Sequence, residues 1–112
     1  MNDRVLLEAA ARAIGKRVVC TEAELHGCDE RGMGVMLEGV QEPWNPRADD
    51  GDAFRLAVKR GICFGPNLDG DCAVAFGSEG VNYVEPHGSD PCGAARLVIL
   101  RAAAAALAKE PA

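Results

Sequence analysis

Residues 43–59 constrain this chain more than any other stretch. They hold its only tryptophan, two prolines and three acids in four residues, followed by an apolar helical pattern. One physical reading covers them: a rigid loop through Pro43, Trp44, Asn45 and Pro46, then a helix N-terminus, then a packed helix over about 50–60. Asp49, Asp50 and Asp52 suit the exposed N–H groups and positive dipole end of that helix. Lys59 and Arg60 fall at its negative end, and Gly61 is placed to close it in the left-handed conformation.

The clearest helix comes last. Ser89 or Asp90 caps it, Pro91 takes the first-turn position proline prefers, and the run continues to about Ala108. Leu97, Val98, Ile99 and Leu100 make it apolar on more than one face. The pattern predicts burial by a sheet on one side and by something else, such as a second subunit, on the other. An N-terminal helix is predicted over 3–14, with a stripe of Leu6, Ala10, Ala13 and Ile14 that Gly15 ends. Strands are predicted at 17–21, 35–38, 61–64, 72–76 and 81–84, the last three as an antiparallel meander joined by turn-rich segments. Residues 22–34 read as a loop. The chain is expected to be one α+β domain over 1–112, an α/β sandwich of about three helices on a short, mainly antiparallel sheet of four or so strands.

Composition decides what this domain can bind. Aromatics are only 4%, so alanine, valine and leucine must supply the core, and a core of small side chains favours a homo-oligomer. Seventeen acids outnumber twelve dispersed bases, for a net charge of −5. Nucleic-acid and anionic-membrane binding draw on clustered Lys and Arg, so both are disfavoured. Small ligands and protein partners remain open. Five cysteines, the acids near the start and the short apolar tract at 102–108 predict a cytoplasmic protein with reduced thiols and no membrane span.

Two strings go beyond capping chemistry. Trp44-Asn45-Pro46, Asp49-Asp50-Gly51-Asp52-Ala53 and Arg55-Leu56-Ala57-Val58-Lys59 run in one order. His87-Gly88-Ser89-Asp90-Pro91 precedes an alanine-rich helix with Leu97, Ile99 and Arg101. Together they resemble the phage ABA-sandwich domain, a family of small phage and prophage proteins. Leu6-Leu7-Glu8-Ala9-Ala10 fits more loosely. Arg47 stands where members often have an aliphatic residue, and 17–40 matches nothing in the family. The resemblance implies helices flanking a sheet, a phage or prophage origin in a bacterial host cell, and no settled activity, so no catalytic residue carries over.

Each chemical motif has a structural counterpart. Asp49, Asp50 and Asp52 could ligate Mg²⁺ or Ca²⁺, but the calcium-loop spacing is absent and capping accounts for them. Asp69-Gly70-Asp71 reads as a turn by the same test. Cys20, His26 and Cys28 lack the Cys-x-x-Cys pair of structural zinc. Cys63 and Cys72 flank a hairpin connection and could face each other as two reduced thiols. Cys92, in the first turn of the last helix, and His87 are the best nucleophile–base pair on offer, yet no nucleophile motif surrounds them. Trp44 is either a core plug or a platform for a ligand or partner. Arg47 and Arg55 could offset the acids beside the two helix N-termini if an anion bound there. The candidate binding residues are therefore Trp44, Asn45, Arg47, Asp49, Asp50, Asp52, Arg55, His87 and Asp90, with no metal and no cofactor assigned. The leading expectation is a non-enzymatic accessory protein that binds a protein partner. The alternative is a small-ligand binder, for instance one sequestering a nucleotide signal, and an enzyme built on Cys92 and His87 ranks third.

Overall fold

A computed structural model describes residues 3–21, 35–39, 44–77 and 82–108. The predicted loop at 22–34, with His26 and Cys28, lies outside them, as do Pro43 and the centre of the predicted turn at 77–80. The described elements run α1 (Asp3–Ala13), β1 (Val18–Thr21), β2 (Val35–Leu37), α2 (Asp50–Arg60), β3 (Cys63–Pro66), β4 (Cys72–Phe76), β5 (Asn82–Pro86) and α3 (Pro91–Ala108). This is an α+β fold of three described helices and antiparallel strands.

The helices end where local chemistry says they should. Gly15 and Gly61 both adopt left-handed conformations, with φ of 76° and 66°. The following residues close each end: the Lys16 N–H donates to the Ala11 carbonyl and the Ile62 N–H to the Ala57 carbonyl, both at 2.9 Å. Because the cap uses Gly61, β3 begins at Cys63, two residues later than the sequence pattern predicts.

The strands form two sheets where one was expected. β3, β4 and β5 make the predicted meander, while β1 and β2 pair separately. Trp44 extends the smaller sheet by one bridge to Val35, with reciprocal N–H to carbonyl bonds of 2.8 and 3.0 Å. No helix among the described residues is long and apolar enough to cross a membrane.

α3 is the centre of the molecule. It packs on β3, β4 and β5 on one side and on α1 and α2 on the other. Val98, Ile99, Leu100, Ala102 and Ala103 are buried as a result. The second cover predicted for this helix is therefore supplied by the chain's own helices, and α3 needs no second subunit. Eleven of the twenty-one buried apolar residues described are alanines, which lets the layers approach closely. α3 carries two charged residues, Arg96 and Arg101. Arg101 pairs with Glu85 and lies 5.7 Å from the Tyr83 ring centre, at the inner margin of the sheet.

Candidate functional site

Asn45 turns the chain from the Trp44 bridge into α2. Its Oδ1 accepts the Arg47 N–H at 3.1 Å, and its carbonyl accepts the Ala48 and Asp49 N–H groups at 3.1 and 2.8 Å. Asp49 is the N-cap of α2, its carboxylate accepting the Asp52 N–H at 2.8 Å. Asp52 reaches back to accept the Asn45 N–H at 2.9 Å. The arrangement works like a capping box whose second arm grips the loop ahead of the cap residue. Arg55, largely exposed, pairs with Asp52 at 2.7 Å, a contact worth a few tenths of a kcal/mol.

The start of α3 meets this loop. Asp90 accepts the Gly93 N–H at 3.0 Å. Arg96, one turn on, has a side chain only 16% exposed, and it joins three segments. Its Nε donates to the Arg47 carbonyl at 3.0 Å, one Nη lies 2.5 Å from Asp50, and the other lies 3.6 Å from Asp90. Arg47 answers with an Nη contact to the Gly93 carbonyl at 3.5 Å.

Seven of the nine candidate residues thus lie in one junction: Asn45, Arg47, Asp49, Asp50, Asp52, Arg55 and Asp90. Their carboxylates already accept from N–H groups or guanidinium groups of the same chain. Among the described residues no group of three His, Cys, Asp or Glu side chains is placed to hold a metal ion. The junction is built as a clamp between two helix N-termini. Trp44 is 9% exposed and belongs to the core, so its ring is not displayed for stacking. His87 meets the clamp through its backbone, its carbonyl accepting the Asp90 N–H at 3.2 Å while its own N–H donates to the Asp71 carbonyl at 2.9 Å.

Arg96 and Gly93 are the members that sequence reasoning missed. The signal was present: an arginine inside an otherwise apolar helix needs a partner for its charge. Gly93 makes room for the cap, since a Cβ there would lie 2.8 Å from the Asp90 Cγ. Helix propensity favours Gly93→Ala, but the added methyl displaces Asp90. We expect a net loss of about 1 kcal/mol in urea unfolding, because a lost cap costs ~0.5–2 kcal/mol. Stability at or above wild type would show that the cap is dispensable.

The remaining candidates separate. Cys92 is exposed, and no hydrogen bond joins it to His87. Cys63 pairs in register with Phe76 and Cys72 with Pro86, so the two thiols stand at opposite ends of the hairpin and do not face each other. Asp71 closes the β3–β4 turn. The bond that Asp71 accepts from the Asn67 amide, followed by the one it accepts from the Cys72 thiol, lowers its pKa, while desolvation and then the Asp71 charge raise that of Cys72. That raised pKa keeps the Cys72 thiol in its less reactive protonated form.

The outer face of the meander is the other notable surface. Register places Cys63, Phe76 and Asn82 in one row, Gly65, Val74 and Val84 in the next, and Cys72 and Pro86 in the third. Ala73 and Ala75 alternate with these and are buried toward α3, so the three rows face away from the core. No charged residue occurs among them. Phe76 and Val84 are 44% and 53% exposed. Comparisons with protein-family models, curated proteins and solved structures find no match to this chain.

Proposed function

We propose that the protein is a non-enzymatic accessory protein that binds another protein through the outer face of the β3–β4–β5 sheet. One observation carries this reading. A chain with 26% charged residues leaves eight positions of one sheet face without a charge, and apolar side chains lie open there. Single exposed apolar residues are ordinary, but contiguous ones mark interaction surfaces. The candidate polar residues, by contrast, are occupied in holding two helices together. A phage or prophage origin is part of the proposal and rests on the resemblance of residues 43–59 and 87–104.

The double variant Phe76→Thr/Val84→Thr tests it. Threonine keeps strand propensity while removing the apolar contact. Exposed substitutions of this kind stay within about 0.5 kcal/mol each, so the unfolding curve should barely move. Immobilised wild-type protein should retain a discrete partner from a bacterial lysate that the double variant loses and the control Phe54→Ala on α2 keeps. Equal retention by the double variant would overturn the assignment of this face. Sedimentation at rising concentration would show whether the partner is a second copy.

A further inference from the structure

We infer that two copies of this chain pair along the free edge of β5, joining their three-stranded sheets into one of six strands. The inference concerns the edge of β5 and stands apart from the outer face of the sheet. Strand order leaves β3 and β5 as the two edges. Backbone bonds in an antiparallel pair alternate, so every second residue turns its N–H and carbonyl toward the neighbouring strand. The His87 N–H donates to the Asp71 carbonyl at 2.9 Å, and this pair continues the β4–β5 register. Tyr83 and Glu85 therefore bond to β4, while Asn82, Val84 and Pro86 turn their backbone groups to the open side. Among the described residues no group accepts from the Asn82 or Val84 N–H there. The same count along β3 starts from the Asn67 N–H, which donates to the Cys72 carbonyl at 2.9 Å. It leaves Phe64 and Pro66 facing outward, and proline has no N–H to give. β3 thus offers one edge donor and β5 offers two.

Charge and symmetry select a second copy as the occupant. With a net charge of −5, two copies repel each other over most of their surfaces. β5 carries a single charged residue, Glu85, and that carboxylate is paired with Arg101. Edge strands are commonly blunted by lysine, by proline or by a bulge, and from Asn82 to Glu85 β5 has none of these. A two-fold axis normal to the sheet, passing between two Tyr83 residues, sets two β5 strands antiparallel. Asn82 of each copy then exchanges both backbone bonds with Val84 of the other, four bonds in all, and Pro86 lies beyond the bonded pairs. An edge with equal donors and acceptors at alternate positions is its own complement. Residues directly opposite share a face, so Asn82 and Val84 of the two copies carry the uncharged outer face across the joint.

Sedimentation velocity of the full chain at rising concentration should show a reversible monomer–dimer equilibrium. Amide hydrogen exchange of the ¹⁵N-labelled chain reads the joint itself. Exchange at Asn82 and Val84 should slow as dimer forms, while Phe64 on the opposite edge should be unchanged. Val84→Pro removes one donor from each copy and should weaken the dimer about thirtyfold, the equivalent of two hydrogen bonds. Proline is tolerated at an outward-facing edge position, and circular dichroism checks that the fold is kept. Val84→Glu, at a position 53% exposed, leaves the backbone intact and should weaken the dimer through like charges across the joint. Phe64→Glu has the same net charge and should dimerise like wild type. Phe76→Thr/Val84→Thr keeps both edge donors and should still dimerise, which separates this inference from the assignment of the outer face. A monomer at every concentration, a dimer whose Asn82 and Val84 amides exchange as fast as in the monomer, or a Val84→Glu dimer as tight as wild type would overturn the pairing.

Discussion

Trp44→Ala should cost roughly 3–5 kcal/mol, the range for emptying a core site of a large aromatic side chain. Trp44 is 9% exposed and lies in the same apolar cluster as Val35, Leu37 and Leu100. Total stability for a domain this size is about 5–15 kcal/mol, so the variant should be marginal at 37 °C. Its backbone bonds to Val35 do not depend on the side chain, so the loss should track volume, and Trp44→Phe should recover much of it. Urea unfolding followed by circular dichroism measures both variants. In the wild type the lone tryptophan reports its own burial through blue-shifted fluorescence. A loss below about 1 kcal/mol would mean that the ring does not plug the core and would return Trp44 to the candidate binding surface.

Arg96→Ala should be the second largest loss, about 2 kcal/mol. The ion pairs contribute little of this, because Asp50 and Asp90 are 75% and 67% exposed and solvent screens them. The larger part is the Arg47 carbonyl, which loses its charge-assisted donor at a part-buried position. Arg96→Lys keeps the charge but cannot reach the carbonyl and two carboxylates in one planar fork, so it should recover only part of the loss. A double-mutant cycle with Asp50→Ala isolates the ion pair, and a coupling under about 1 kcal/mol is expected. A change within about 0.5 kcal/mol for Arg96→Ala itself would reduce the junction to a surface contact.

These two residues divide what could be read early from what could not. Trp44 stood out in the sequence as the lone tryptophan in a proline-bound loop, and the choice between plug and platform was a question of burial. Arg96 sits in a helix whose apolar character drew attention away from it. Its partners are 46 residues distant at Asp50 and 49 at Arg47, beyond any local pattern. The candidate residues from 45 to 55 were found together because capping chemistry is local. Their role as a clamp depended on what α3 brought to them.

The sequence by itself determined the helix ends, the turns and the meander. Each depends on interactions within a few residues: Asp49 as one cap and Ser89 or Asp90 as the other, Gly15 and Gly61 at the helix ends, and the turn-rich segment between β3 and β4. Tertiary structure alone decided that the strands divide into two sheets, that α1 and α2 complete the cover of α3, and that Arg96 joins the loop at Arg47 to the starts of α2 and α3. The physical reason is range. Capping and turn geometry are fixed by neighbours in the chain, whereas burial and charge pairing depend on which segments meet in space.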